Sequence, residues 1–185
     1  MQISWGLRRG VSRHLLCSAE QEVDYPMRRD YPDRPIVGVG AVVFDGDQVI
    51  LVRRGSPPSY GAWSIPGGAV EVGETLEEAI VREVDEEIGL EVTADEVVAV
   101  LERIFLDPAG KVQYHYVLVD FLCRSTGGSL RASGDALSCA RVPPESLADY
   151  SLARETREVI QRARDFLHGK APLIYMRTKV LKTGS

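Results

Sequence analysis

The 185 residues hold only three cysteines, Cys17, Cys123 and Cys139. That is an odd number at wide, irregular spacings, which excludes a disulfide framework and a cysteine zinc site, so they read as reduced thiols. No apolar run reaches the 18 or more residues of a membrane helix, so no membrane partner is expected. An excess of basic residues is also lacking: the net charge is -5, which argues against a general nucleic-acid partner. No internal repeat is evident. Acidic residues are missing from both ends. The first nineteen residues carry Arg8, Arg9 and Arg13 without an acid, and the tail from Lys170 carries Arg177, Lys179 and Lys182 without one.

What is present suffices for one domain. A chain of this length with 44% apolar content can bury a core without disulfide or metal staples. Residues 1–34 read as a peripheral extension, either a transit-type segment or sequence ahead of a start at Met27. Residues 35–168 are the expected domain, and residues 169–185 a solvated tail, with docking of residues 173–176 as the alternative.

The informative stretch runs from Gly68 to Leu90. Thr75 with Glu78 has the form of a capping box, and Gly89 supplies a left-handed stop, so the spacing predicts a helix over 76–88. At about 100° per residue from Leu76, Ile80, Val84 and Ile88 fall at about 40°, 80° and 120° and Val81 near 140°, forming an apolar stripe. Glu87 and Glu83 land at about 20° and 340°, where a purely structural helix would carry leucine, and Glu86 follows at about 280°. Three carboxylates thus share one edge near the negative end of the helix, where like charges and partial burial all disfavour them. A solvated acidic face with Glu78–Arg82 and Arg82–Glu86 pairs is the bland alternative. The chemical reading is a hard divalent cation, Mg²⁺ or Mn²⁺, held by oxygen ligands and able to take substrate phosphates.

Gly68, Glu74, Arg82-Glu83-Val84, Glu86-Glu87 and Gly89-Leu90 resemble the Nudix box, G-x5-E-x7-R-E-U-x-E-E-x-G-U with U a bulky aliphatic, at every fixed position. Val37 to Val43, Leu51-Val52-Arg53-Arg54 and Trp63 to Gly68 are similar to the strands and loop before it. The resemblance implies a Nudix-type α/β/α sandwich with a mixed β-sheet, and a cytoplasmic enzyme. Its activity would be hydrolysis of a nucleoside diphosphate linked to another group. It further implies Mg²⁺ (Mn²⁺ may substitute) on the Gly68 carbonyl, Glu83, Glu86 and Glu87. Glu83 or Glu86 would be the base, with Arg82 beside them, and Glu74 and Arg82 would pair to hold the loop. Asp135 is the nearby later acid; Ser138 stands where many relatives carry one.

Arg53 and Arg54, with Tyr116 the candidate substrate-binding residues, look together with residues 71–75 most like ADP-ribose pyrophosphatases, although Pro108 lies further past the box than the proline of those enzymes. The alternatives are nucleoside triphosphate house-cleaning and a non-catalytic nucleotide sensor. A second copy of the chain, as a homodimer, is a candidate partner.

The remaining elements follow from local pattern. Residues 36–44 and 48–54 read as a central hairpin around Asp45-Gly46-Asp47. Residues 55–73, with five glycines and three prolines, read as an ordered functional loop. In that loop Trp63 either anchors to the core or stacks on a base. Residues 91–104 read as one or two short strands around Asp95-Glu96, and residues 107–110 as a turn. Residues 113–124 are the longest strand, buried on both faces, with Tyr114, His115 and Tyr116 as candidate pocket neighbours. Residues 125–128 read as a turn and residues 136–142 as a last strand. The second amphipathic helix covers 152–167, with Val159, Ile160, Ala163, Phe166 and Leu167 on one face and Gly169 as its stop.

Overall fold

A computed structural model describes residues 29–170 and the backbone of residues 175–182. The expectations for residues 1–28 lie outside the described residues. The elements run β1 (Ile36–Asp45), β2 (Gln48–Arg54), β3 (Trp63–Ser64), α1 (Leu76–Ile88), β4 (Leu90–Leu106), β5 (Val112–Gly128), β6 (Ala136–Val142), α2 (Arg154–Leu167) and β7 (Tyr175–Lys182). A 3-10 turn, Pro144–Asp149, precedes α2. The sheet is ordered β3-β2-β1-β5-β4-β7, with β6 on β2. β1 with β5 and β4 with β7 are parallel and the other pairs antiparallel, so the sheet is mixed.

The period-2 alternation of the central strands explains the two helical layers. Ala41, Val43, Ile50, Val52, Phe121 and Cys123 face one side and pack with Ala79, Ile80, Val84 and Ile88 of α1. Val42, Val49, Leu51 and Leu122 face the other and pack with Val159, Ile160 and Ala163 of α2. Both faces of β1 and β2 are covered, hence their near-continuous apolar sequence.

Helix α1 has the expected bounds, with the Thr75–Glu78 capping box formed in both directions and Gly89 left-handed at φ 66°. One detail of its stripe differs. Val81 is 38% exposed while Ala79 is fully buried, so the buried face is rotated toward Ala79 and Glu83 and Glu87 lie within it. On α2, Leu167 is likewise exposed at 54%.

Three strand expectations are corrected. The segment around Asp95-Glu96 is one 17-residue strand, β4; register shifts absorb the acids, and Asp95 pairs outward with Arg124 at 2.8 Å. Residues 125–128 are not a turn but the end of β5, where Gly128 and Gly127 pair with Leu90 and Glu91. At Gly128, φ 86°, a Cβ would overlap the Gly89 carbonyl, so glycine serves close backbone approach there. Residues 136–142 are not the last strand, since residues 175–182 add β7 to β4; for Tyr175 and Met176 the docking alternative holds in place of the solvated tail. The reversal at residues 107–110 is formed, with Gly110 N–H donating to the Asp107 carbonyl at 2.9 Å.

β1 and β2 pair at only Phe44–Val49 and Asp45–Gln48. Beyond that, residues 66–70 take the neighbouring place, through Val39 N–H to Gly68 O (2.9 Å), Ala41 N–H to Pro66 O (2.8 Å) and Val70 N–H to Val37 O (3.0 Å). The glycine loop is thereby sewn into the sheet and presented to α1.

Candidate active site

Arg82 is the hub. Its Nε and one terminal nitrogen bind the two Glu74 oxygens at 2.6 and 2.9 Å, a bidentate fork. The same guanidinium donates to the Ala69 carbonyl at 3.1 Å, to Glu83 at 3.0 Å and to Glu86 at 3.2 Å. Through these bonds one side chain ties the glycine loop to the helix. Glu74 is held down at about 2, first by its hydrogen bond from Arg82, and Arg82 is raised, chiefly by Glu74.

Glu83 and Glu87 are the strained pair. Burial raises the carboxyl of Glu83 against the pull of Arg82. Burial likewise pushes Glu87 up to about 7, although Gly67 N–H donates to it at 2.9 Å. A Cβ at Gly68 would overlap the Glu83 carboxylate, and one at Gly67, φ 144°, would overlap the Val39 carbonyl. Only glycine fits between strand and glutamates.

Among the described residues no three His, Cys, Asp or Glu side chains converge closely enough to hold a metal. Here the sequence expectation and the geometry differ, for a reason the partners supply: Arg82 draws Glu83 and the 58%-exposed Glu86 side chain to itself, while Gly67 holds Glu87. The Gly68 carbonyl accepts from Val39, which leaves one lone pair.

A cavity of about 370 Å³ opens beside this cluster, large enough for a small molecule. Its wall takes Arg82, Glu83, Glu86 and Glu87 from α1, Thr156 from α2 and Ala153 just ahead of α2. Arg54, Trp63, Tyr116 and Asp135 also line it. Arg53 is not in the wall; its Nε donates to the Gly61 carbonyl at 3.0 Å and fastens the loop. His115 is not in the wall either and meets Glu102 at 3.1 Å, and Tyr114 packs edge-on to Phe105. Trp63 does anchor to the core, edge-on to Tyr150 at 5.1 Å. Ser138 is spent in the β2–β6 pairing opposite Arg53.

Sequence reasoning missed Arg103 and Asp120, both in the cavity wall. Asp120 is 4% exposed, and burial raises its carboxyl to about 6 despite the charge of Arg103. The signal was there: the one acid in a strand largely apolar on both faces.

The NUDIX domain family model matches residues 34–163. An ADP-ribose pyrophosphatase of Methanocaldococcus jannaschii is 36% identical over 102 residues, 55% of this chain and 58% of that protein. A human protein named 8-oxo-dGDP phosphatase is 35% identical over 122 residues, 66% of this chain and 33% of that protein. The chain therefore spans little more than half, or a third, of these relatives. The crystal structure of a Nudix hydrolase from Nitrosomonas europaea has the same fold, with a TM-score of 0.62 at 22% identity, covering 80% of each chain. With the box complete, the glycine loop sewn against α1 and this match across the domain, the chain belongs to the Nudix family.

Proposed function

We propose that the chain hydrolyses the pyrophosphate bond of a nucleoside diphosphate linked to another group, with ADP-ribose or a similar nucleotide sugar as substrate. The observation that carries this is the pair of half-buried carboxylates, Glu83 and Glu87, raised by burial at the mouth of a nucleotide-sized cavity. Buried carboxylates without neutralising cations are costly. The chemistry of the donor set, three carboxylates and the Gly68 carbonyl, is that of a hard divalent ion site, although Arg82 and Gly67 N–H hold the carboxylates apart. Glu83, Glu86, Glu87 and Gly68 would hold it. Bound there, Mg²⁺ or Mn²⁺ would supply charge neutralisation for the diphosphate and acidify a water.

The chain's own residues do the rest. Arg82 fixes Glu83 and Glu86 in place and, with Glu74, keeps the loop closed on the helix. The water oxygen attacks one phosphorus, its proton passes to Glu83 or Glu86, and the bond from that phosphorus to the bridging oxygen breaks. Asp135 lines the same wall and is a further acid in reach of the cavity. Arg54 and Tyr116, also in the wall, would bind the substrate. The free thiols of Cys123 and Cys139 suit a reducing, cytoplasmic setting.

The human relative's name, 8-oxo-dGDP phosphatase, favours a second reading, removal of unwanted nucleotides. Incubation with Mg²⁺ and a nucleotide panel, followed by chromatography, separates the two. AMP and ribose 5-phosphate from ADP-ribose is the expected result. Release only from nucleoside di- or triphosphates selects the second reading, and no product from any of them removes both.

A further inference from the structure

Arg103 and Asp120 lie in the part of the cavity wall beside α2, and the chemistry proposed above does not use them. Asp120 sits on β5 opposite Gly40 of β1. A Cβ at Gly40 would overlap the Asp120 carboxylate and come within 2.9 Å of Ile65, so the glycine keeps room for the acid. The carboxylate is raised by burial and lowered by the charge of Arg103. Arg103 reaches Thr156 of α2 through one terminal nitrogen at 3.4 Å, and its Nε is buried without any partner. Arg103 feels the charge of the buried Glu155 of α2 as well as that of Asp120, and it shares the cavity with Asp120 without an ion pair between them. A purely structural pair would close, because a buried charge left without hydrogen bonds is costly.

We infer that Arg103 and Asp120, with Phe105 and Tyr116 as apolar flank, form a subsite for the edge of a nucleobase carrying an exocyclic amine beside a ring-nitrogen or carbonyl acceptor. The amine donates to Asp120, and the acceptor takes the Arg103 N–H. A phosphate is excluded by the carboxylate, and a base lacking the amine turns an oxygen toward it. The aromatic flank suits a flat ring. This rests on the nucleotide reading of the cavity and names the part of the substrate that reading leaves open.

The test is calorimetric binding of mononucleotides to the full chain, which requires no turnover. The pairs AMP with IMP, CMP with UMP and GMP with IMP each exchange or remove the amine. In wild type one amino nucleotide should bind at least tenfold more tightly than its counterpart, as expected for a matched polar contact against an unpaired one. In Asp120→Asn, whose amide offers both donor and acceptor, that ratio should fall below about threefold. A wild-type ratio under twofold in all three pairs overturns the subsite whether or not the variant folds. So does an unchanged ratio in a variant with a cooperative melt. Hydrolysis of ADP-ribose without amine preference refutes the subsite alone; amine preference without hydrolysis of any nucleotide refutes the activity alone.

Discussion

Glu87→Gln removes one charge from the crowded face of α1 at nearly constant volume, and the amide oxygen can still accept from Gly67 N–H. Burial raises this carboxyl from 4.5 to about 7. A carboxyl raised on folding contributes full stability below its unfolded value, and that contribution is lost as pH rises through the folded one. Above pH 7 the loss corresponds to about 3 kcal/mol at full burial and about 2 kcal/mol allowing for solvent screening. In a domain of this size that is roughly 4 to 8 °C in melting temperature. At pH 8 in EDTA the variant should therefore melt above wild type, and at pH 4 the two should coincide. Magnesium at about 10 to 100 times its dissociation constant should raise wild type by roughly 1 to 3 kcal/mol and the variant far less. Thermal melts of both proteins at the two pH values, with and without magnesium, measure all of this. Identical melts under every condition would show that Glu87 is a solvated surface group and refute the reasoning.

Other outcomes follow from single contacts. Arg82→Lys cannot reproduce the fork on Glu74, so turnover should fall by roughly 10- to 100-fold with a modest change in melting, read by initial rates. Gly68→Ala drives a methyl into the Glu83 carboxylate; activity should drop by about 100-fold or more while the fold persists, checked by rate and circular dichroism. Asp120→Asn should become stabilising relative to wild type as pH rises. The Asp120 carboxyl climbs from 3.8 to about 6, so wild type loses up to about 3 kcal/mol across that window. Denaturant melts at pH 4 and pH 7 show whether the gap opens.

Helix α1 was legible to the residue because its signals are local: Thr75 and Glu78 cap each other, and only Gly89 accepts the left-handed exit. The glutamates stood out for the same reason, since the rotation that places Ile80 and Val84 also places Glu83 and Glu87. What the sequence left open depends on distant pairing. Gly127 and Gly128 look like a turn until Leu90 and Glu91 come alongside. β7 has no strong pattern of its own and exists through β4, seventy-odd positions earlier in register. Arg103 and Asp120 belong to different strands and meet one cavity only once β4, β5 and α2 are assembled. Arg53 and Arg54 are neighbours in sequence, yet strand alternation sends one to the loop and the other to the cavity wall. Convergence of three carboxylates was expected from one helix face, but Arg82 and Gly67 N–H divide them.

The most direct measurement is the rate of AMP release from ADP-ribose by EDTA-treated protein as Mg²⁺ is raised from zero, for wild type and for Glu83→Gln. Release should be undetectable without the cation, rise to saturation in wild type, and stay at least about 100-fold lower in the variant at every concentration. Release that needs no divalent cation, or the same curve for both proteins, would contradict a cation-dependent hydrolytic centre on this helix.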